Sequence, residues 1–590
     1  MLFAVGMPGR ILIRGGQIVD GTGRPSYGAD LLVEGDRIAA IRRGGDEPLV
    51  ADRVIDASGR VVAPGFVDIH SHADLSVYRP DHPRVFEPLV RQGITTFVGG
   101  NCGYGVAPIA PDEHLPAQRF YLEGVTARRF ESVFTWRSLG EYLELLERQG
   151  VALNAGLLCP HGLIRLQVMG QRRALADSDE LEQMGRVLEA SLEQGALGLS
   201  TGLQYFPGLC ADTRELVGLG SILARHRARF ASHLRSYTSN SVDQALDEVV
   251  QVARQTGVAV QVSHIFTLPW VGAAQTLLMG LGRLGARYHR LSSRLVPASF
   301  LDGDMQRLLR RFDQHRQSGL ELGMDVMPTT TGFTHLLAFF PPWVLTDSGE
   351  AIARRLRDPE ARRAIIRDIE HGRPLWPHDQ DDTWSLNFFR LFGYRCATIM
   401  SVGSEANRGL EGRRLADIAA ERGQHPIETA CDLLLEEDRQ ILAFVAMDEP
   451  EDPFTVRGQF PALAHPEVAV ATDTLLLGFG HPSPLFYGCY PRFLGVHCRE
   501  LGLVDLPTAI HKCTEVPARA MGLRDRGTIR EGAFADLVVL DPASVSTEAD
   551  FHRPEVHPRG IEQVLINGRL VLAGGTYDPE ARAGRVLRAG

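Results

Sequence analysis

Residues Pro64–Asp74 read PGFVDIHSHAD, and their reading decides the fold. A Pro-Gly entry leads into an apolar pair, Phe66 and Val67, and then into Asp68, His70, Ser71 and His72. The pattern predicts a strand that runs through a core and surfaces at its C-terminal end. Side chains alternate faces along a strand, so His70 and His72 are expected on one side. Neutral imidazole is a favoured ligand for zinc-like ions, so two rings at a strand exit can share a metal. A pair of surface histidines in a turn is the plainer reading of H-x-H. The Pro-Gly entry, the apolar run and Asp74 favour the ligand pair.

Seven further strand-like segments follow. They are ITTFVGGNC (94–102), VALNAGLLCP (151–160), ALGLST (196–201), ARFASHL (228–234), VAVQVSH (258–264), LELGMDV (320–326) and VAVATD (468–473). Amphipathic helical stretches separate most of them, for example 178–195 and 241–257. Repeated strand–helix units predict a parallel sheet with helices outside, and eight of them predict an α/β fold, a closed (β/α)8 barrel. Its chemistry would lie at the C-terminal strand ends. Residues 1–63 and 524–590 alternate apolar and polar residues with tight Gly and Asp turns, which predicts one small β-sandwich built from both termini. The barrel domain then spans 64–523. Its connection at about 328–466 is too long for a simple loop and is expected to be an insertion covering the mouth, with helical runs such as 349–370. The stretches 102–150 and 265–319 are expected to add to that cover.

The chain has 590 residues and a net charge of −10 without a basic face, which argues against nucleic acid as a partner. Eight scattered cysteines form no CxxC pair, which suits a reducing, cytoplasmic compartment better than a disulfide framework. The first 16 residues are apolar but broken by Gly and Pro, so no signal peptide is read, and no apolar run reaches the ~18 residues of a membrane span. A homo-oligomer stays open. Lys512 is the only lysine, so a modified-lysine metal bridge at the barrel rim is excluded by inventory.

On the expected rim stand His70, His72, Cys102, His161, His233, His264 and Asp473. His233 and His264 each follow an apolar β-run, and a tetrahedral His-rich site with an open position is the zinc hydrolase pattern. Cys102, in GGNCGYG, is either a small buried apolar residue or a thiolate ligand whose glycines let the backbone crowd a metal. Asp473, in AVATDT, is either a helix cap or a general base and then acid, moving a proton from the attacking water to a leaving nitrogen.

These stretches, with GALGLSTGLQYFPG, ASHLRSY, YPRFLG and RGTIREGAFADLVVLDP, resemble the amidohydrolase superfamily, and within it the N-acyl-D-amino-acid deacylase (D-aminoacylase) family. The resemblance implies zinc-dependent hydrolysis of a linear N-acyl bond in a small-molecule amide. It implies a tighter zinc (Zn2+) on Cys102, His233 and His264, a second, weaker site on His70, His72 and Cys102, Asp473 as acid and base, and Tyr205 as a pocket tyrosine. Tyr205 or His161 would stabilise the oxyanion. Two positions depart from the family. Phe266 stands where a lysine is usual after strand six, and Ser483 where an arginine follows the His-Pro beyond strand eight. Both usual residues resemble carboxylate anchors, so the departures point to a substrate whose carboxylate is masked, unless Arg235 or Arg165 compensates. The rival readings are ring opening of cyclic imides or hydantoins, which commonly uses the absent lysine, and a catalytically silent homologue.

Overall fold

The computed structural model describes all residues except 1–8, 45–48, 127–133, 276, 278–279, 282–297, 374–383, 447–455 and 590. The start of the apolar N-terminal stretch and much of the 265–319 connection therefore lie outside the described residues.

Eight strands run parallel in one sheet among the described residues: β1 (Phe66–Asp68), β2 (Ile94–Gly99), β3 (Asn154–Pro160), β4 (Gly198–Gly202), β5 (Arg229–His233), β6 (Ala259–Val262), β7 (Leu322–Val326) and β8 (Val468–Val470). Each pairs with the next in sequence, as strand–helix–strand units require. β8 returns to β1 at the C-terminal rim. Asp473 N–H donates to His70 O at 2.9 Å, and His72 N–H to Thr474 O at 2.7 Å. The barrel is therefore tied shut beside the H-x-H segment. The strands are almost wholly buried because helices cover them outside and side chains fill the centre.

The two termini meet in one sheet. Val61–Pro64 pairs antiparallel with Leu537–Leu540, and hydrogen bonds link both ends into a single nine-stranded sheet. Ile13, Leu31 and Val33 from the N-terminal part pack with Ala533 and Leu537 from the C-terminal part.

Between β7 and β8 the chain builds a three-stranded antiparallel sheet from Gly332–His335, Ala397–Val402 and Ile441–Val445. Helices including Leu415–Arg422 and Pro426–Glu436 accompany it. A core of its own, with Phe339, Ile352, Phe389 and Leu434, supports this insertion. The run 349–370 is not one helix. It divides into Gly349–Arg357 and Pro359–His371 at an extended Asp358, whose carboxylate accepts from Glu360 N–H at 3.0 Å. Proline disfavours helical backbone at the residue before it and suits the first helical position after it.

Candidate metal centre

The H-x-H pair sits just past β1, and the alternation argument does not place it. The strand ends at Asp68 and the chain bends through His70, and the two rings stand 6.0 Å apart at 73°. What aims both at one point is the closure with β8. Asp68 accepts from Thr472 N–H (3.1 Å) and Thr472 O–H (2.5 Å), and Ser71 bridges to Thr474. Asp473 is thereby held against both rings, with Oδ1 3.3 Å from His72 Nε2 and 3.4 Å from His70 Nε2.

Cys102 follows β2 in a turn that needs its glycines. Gly100 has φ +77, and a Cβ there would lie 2.3 Å from Leu158 O. Cys102 itself has φ +53, and His264 (+32) and Asp473 (+51) share that left-handed region, which side-chain-bearing residues seldom occupy. Three strained residues at one point mark a place where chemistry overrides backbone preference. Asn101 ties the turn to the H-x-H segment, donating to Val98 O (2.9 Å), Ile69 O (3.2 Å) and Ser71 O (3.3 Å). His233 is the last residue of β5. His264 lies two residues past β6, where its N–H donates to Asp325 Oδ1 at 2.7 Å.

The ligand atoms form two overlapping groups, His70–His72–Cys102 and Cys102–His233–His264, each within 4.8 Å. Cys102 Sγ lies 3.2 Å from His70 Nε2 and 3.4 Å from His264 Nε2, and His233 Nδ1 lies 2.8 Å from His264 Nε2. All five residues are buried. Burial alone would push the Cys102 thiol up, but His70 and His264 beside it hold it well below its ordinary value, which favours thiolate. His233 Nε2 faces the Gln204 carbonyl oxygen at 2.7 Å, an atom that only accepts, so its Nδ1 presents a lone pair toward His264. The His233 lone pair, the ring nitrogens of His70, His72 and His264 and the Cys102 sulfur converge on one buried place, which suits a cation. This donor set fits zinc.

A cavity opens on the centre. Its walls include Tyr104, Tyr205 and Asp473 from the barrel loops, and Phe333, Thr334 and Leu442 from the insertion. Tyr205 packs its ring 4.8 Å from His233, and burial keeps its hydroxyl protonated, so it offers a donor.

The remaining sequence candidates stand elsewhere. His161 is fully buried with Nε2 2.7 Å from Glu215 Oε1, and it does not line the cavity, which corrects its assignment as an oxyanion donor. Arg235 is corrected likewise. Its guanidinium grips Glu248 from Nε (3.0 Å) and Nη2 (2.9 Å) and donates to the carbonyls of Leu209 and Ala211, so it does not replace a carboxylate anchor. Arg165 pairs with Glu215 and is structural. Ser483 is buried two residues before the next helix and accepts from Leu485 N–H at 3.3 Å. Phe266 is half-buried and stacks on Tyr237 at 4.2 Å, and Tyr237 packs against His264. Among the described residues lining the cavity there is no arginine or lysine. Lys512 sits at the opposite end of β8, donating to Ala462, His465 and Val468 carbonyls. Two residues at the centre went unread in the sequence, Gln204 and Asp325. Asp325 was within reach, since it lies near the end of β7, a strand end to which no polar residue had been assigned.

A model described as "Amidohydrolase family" matches residues 53–300 and 403–572. The chain belongs to the amidohydrolase family. This amidohydrolase is 33% identical over 584 residues to N-acyl-D-glutamate deacylase of Alcaligenes xylosoxydans xylosoxydans, covering 98% of this chain and 96% of that one. It is 31% identical to D-aminoacylase of the same organism, covering 98% of both. Among solved structures it resembles N-acyl-D-glutamate deacylase from Bordetella bronchiseptica, complexed with zinc and a phosphonate mimic of the tetrahedral intermediate. The TM-score is 0.73 at 29% identity, covering 98% of this chain and 99% of that one.

Proposed function

We propose that this amidohydrolase hydrolyses the linear N-acyl bond of N-acyl-D-amino acids or of derivatives whose carboxylate is masked as an amide, ester or peptide. One observation carries the reading: a buried carboxylate, Asp473, stands 3.3–3.4 Å from two histidines of a five-residue metal-ligand cluster. The full-length likeness to two deacylases supports the bond type.

Cys102, His233 and His264 would hold the tighter zinc, and His70 and His72 with Cys102 a weaker second ion. Zinc, when bound, supplies Lewis acidity that polarises the acyl carbonyl and acidifies a water. Asp473 does the proton work. Burial would raise its pKa, but His72, His70 and His264 hold it below the usual value, so it is ionised at neutral pH and ready to take a proton from the attacking water. It then passes that proton to the departing nitrogen. Tyr205 donates toward the oxyanion, a contact of the kind that contributes ~3 kcal/mol. The absence of a cation among the described cavity-lining residues, with Phe266 and Ser483 where anchors are usual, favours substrates without a free carboxylate. Eight free cysteines suit a cytoplasmic setting, where a thiolate ligand stays reduced.

The test is hydrolysis of a panel of N-acyl-D-amino acids against their C-terminal amides and esters, with hydantoins as a third arm. Faster turnover of the masked compounds is expected. Best turnover of free acids would remove the masked-carboxylate half of the reading, and turnover of hydantoins alone would replace the whole of it.

A further inference from the structure

The insertion reaches the metal centre through a directed chain of hydrogen bonds. It begins at Arg235 O, a backbone carbonyl that can only accept. Ser385 O–H donates to it at 3.0 Å. With its proton so placed, the Ser385 oxygen accepts from Gln204 Nε2 at 2.6 Å. The Gln204 amide is thereby turned with its oxygen toward His233, whose Nε2 lies 2.7 Å away. A carbonyl oxygen accepts only, so His233 carries its proton on Nε2 and its lone pair on Nδ1. Each link forces the next, since reversing the amide would set its oxygen against the Ser385 oxygen, whose proton is already given to Arg235 O.

Every member is buried. Gln204 is 4% exposed and Ser385 0%. Ser385 is pinned from the insertion side, since Trp384 and Leu386 on either side of it belong to the insertion core and Asn387 Nδ2 donates to Ile369 O at 3.0 Å. Gln204 hangs from the loop after β4, and Arg235 from the loop after β5.

We propose that Gln204 and Ser385 are positioning residues that fix the tautomer and ring orientation of His233 for zinc, so that the insertion helps to set metal affinity. This rests on the reading of His233 as a zinc ligand. Partners that orient a ligating histidine through its other nitrogen typically contribute 10–100-fold in metal affinity. The chain here is longer, and its outer member comes from a segment with its own core.

The test measures zinc affinity of the full-length protein by competition with a chromophoric chelator after metal removal and reloading. Gln204→Leu keeps the approximate size and removes the acceptor, and a loss of about 10–100-fold is expected. Gln204→Glu restores an acceptor to Nε2 and is expected to recover affinity to within about threefold of the native protein. Ser385→Ala releases the amide and is expected to lose about three- to tenfold, and it carries the test should Gln204→Leu fail to fold. The visible spectrum of the cobalt-loaded protein is expected to change in Gln204→Leu and to return in Gln204→Glu, which a merely structural role would not produce. Unchanged affinity in Gln204→Leu or in Ser385→Ala overturns the proposal. So does an equal loss in Gln204→Leu and Gln204→Glu, which would assign the effect to shape. His233→Asn separates the two levels: if it binds zinc as tightly as the native protein, His233 is no ligand and the underlying reading fails.

Discussion

Beyond β3, His161, Arg165 and Glu215 form one buried polar cluster, and beyond β1, β2, β5 and β6 four histidines and Cys102 form another. In the first, complementary groups meet. Glu215 offers one oxygen to His161 at 2.7 Å and the other to Arg165, and Arg165 also donates to Ala174 O at 2.7 Å. In the second, several metal-ligating atoms crowd one point, with His233 Nδ1 2.8 Å from His264 Nε2 and Cys102 and Asp473 against the same rings. Both are buried. What differs is that only the second gathers three or more metal-ligating atoms within 4.8 Å of one another. A buried carboxylate matched to an arginine and a histidine serves the fold, while converging imidazoles and a thiol form a donor set for an ion.

The sharpest way to break this contrast is Asp473→Asn, which removes charge from the second cluster and little volume. A fall in kcat of about 10²–10⁴-fold is expected, the usual span for a general acid–base residue, with zinc content near that of the native protein. Full activity in a zinc-loaded variant would remove Asp473 from its role. The same kind of change in the first cluster is expected to act the other way. Burial would raise the Glu215 pKa, but His161 and Arg165 hold it down to about 2 from 4.5. A carboxylate depressed in the folded state stabilises the protein above its unfolded pKa, and that stability is lost as pH falls through the folded value. The window here is about pH 4.5 down to about 2. Glu215→Gln is therefore expected to destabilise the neutral protein by about 3 kcal/mol, to remove the corresponding step from acid denaturation, and to leave zinc affinity unchanged. Loss of zinc binding in folded Glu215→Gln would merge the two clusters into one functional unit.

Metal removal tests the second cluster directly. A ligand at 100 times its dissociation constant stabilises the folded state by about 2.7 kcal/mol, so chelation is expected to lower Tm by several degrees and added zinc to restore it. Glu215→Gln should show the same rise from its lower baseline. A melting temperature indifferent to zinc would mean that the converging imidazoles and thiol are not a metal site.

Much of this arrangement was legible in the sequence because its carriers are local. The eight barrel strands follow from apolar runs alternating with amphipathic helices, and the candidate ligands fall at strand ends because that is where a barrel strand exposes residues. Pro359 was as visible as any residue, yet the helix it interrupts was read through, since apolar spacing continues on both sides of Asp358. The non-local parts were not legible. Nothing near His161 announces Glu215, 54 residues away, and nothing near Gln204 announces Ser385, 181 residues away. A rim histidine engaged by a distant carboxylate and one aimed at a metal look alike until the chain is folded. Left-handed backbone at Cys102, His264 and Asp473 was equally hidden, because those residue types do not signal it.

The smallest expected effect divides the second cluster internally. His72 is its most exposed histidine at 7%, and it lies outside the Cys102–His233–His264 group. Gln204 braces the ring of His233 and Asp325 the backbone N–H of His264, neither partner belonging to the ligand groups, whereas His72 leans on Asp473 at 3.3 Å. Ligands braced from outside keep their geometry when a neighbour changes. His72→Asn is therefore expected to leave the first zinc bound within about threefold of native affinity while removing a second equivalent taken up at high zinc. Direct titration monitored by metal analysis reads both. If the first equivalent is lost with His72, the tight ion sits on the H-x-H side of Cys102, and the bracing of His233 belongs to the weaker site.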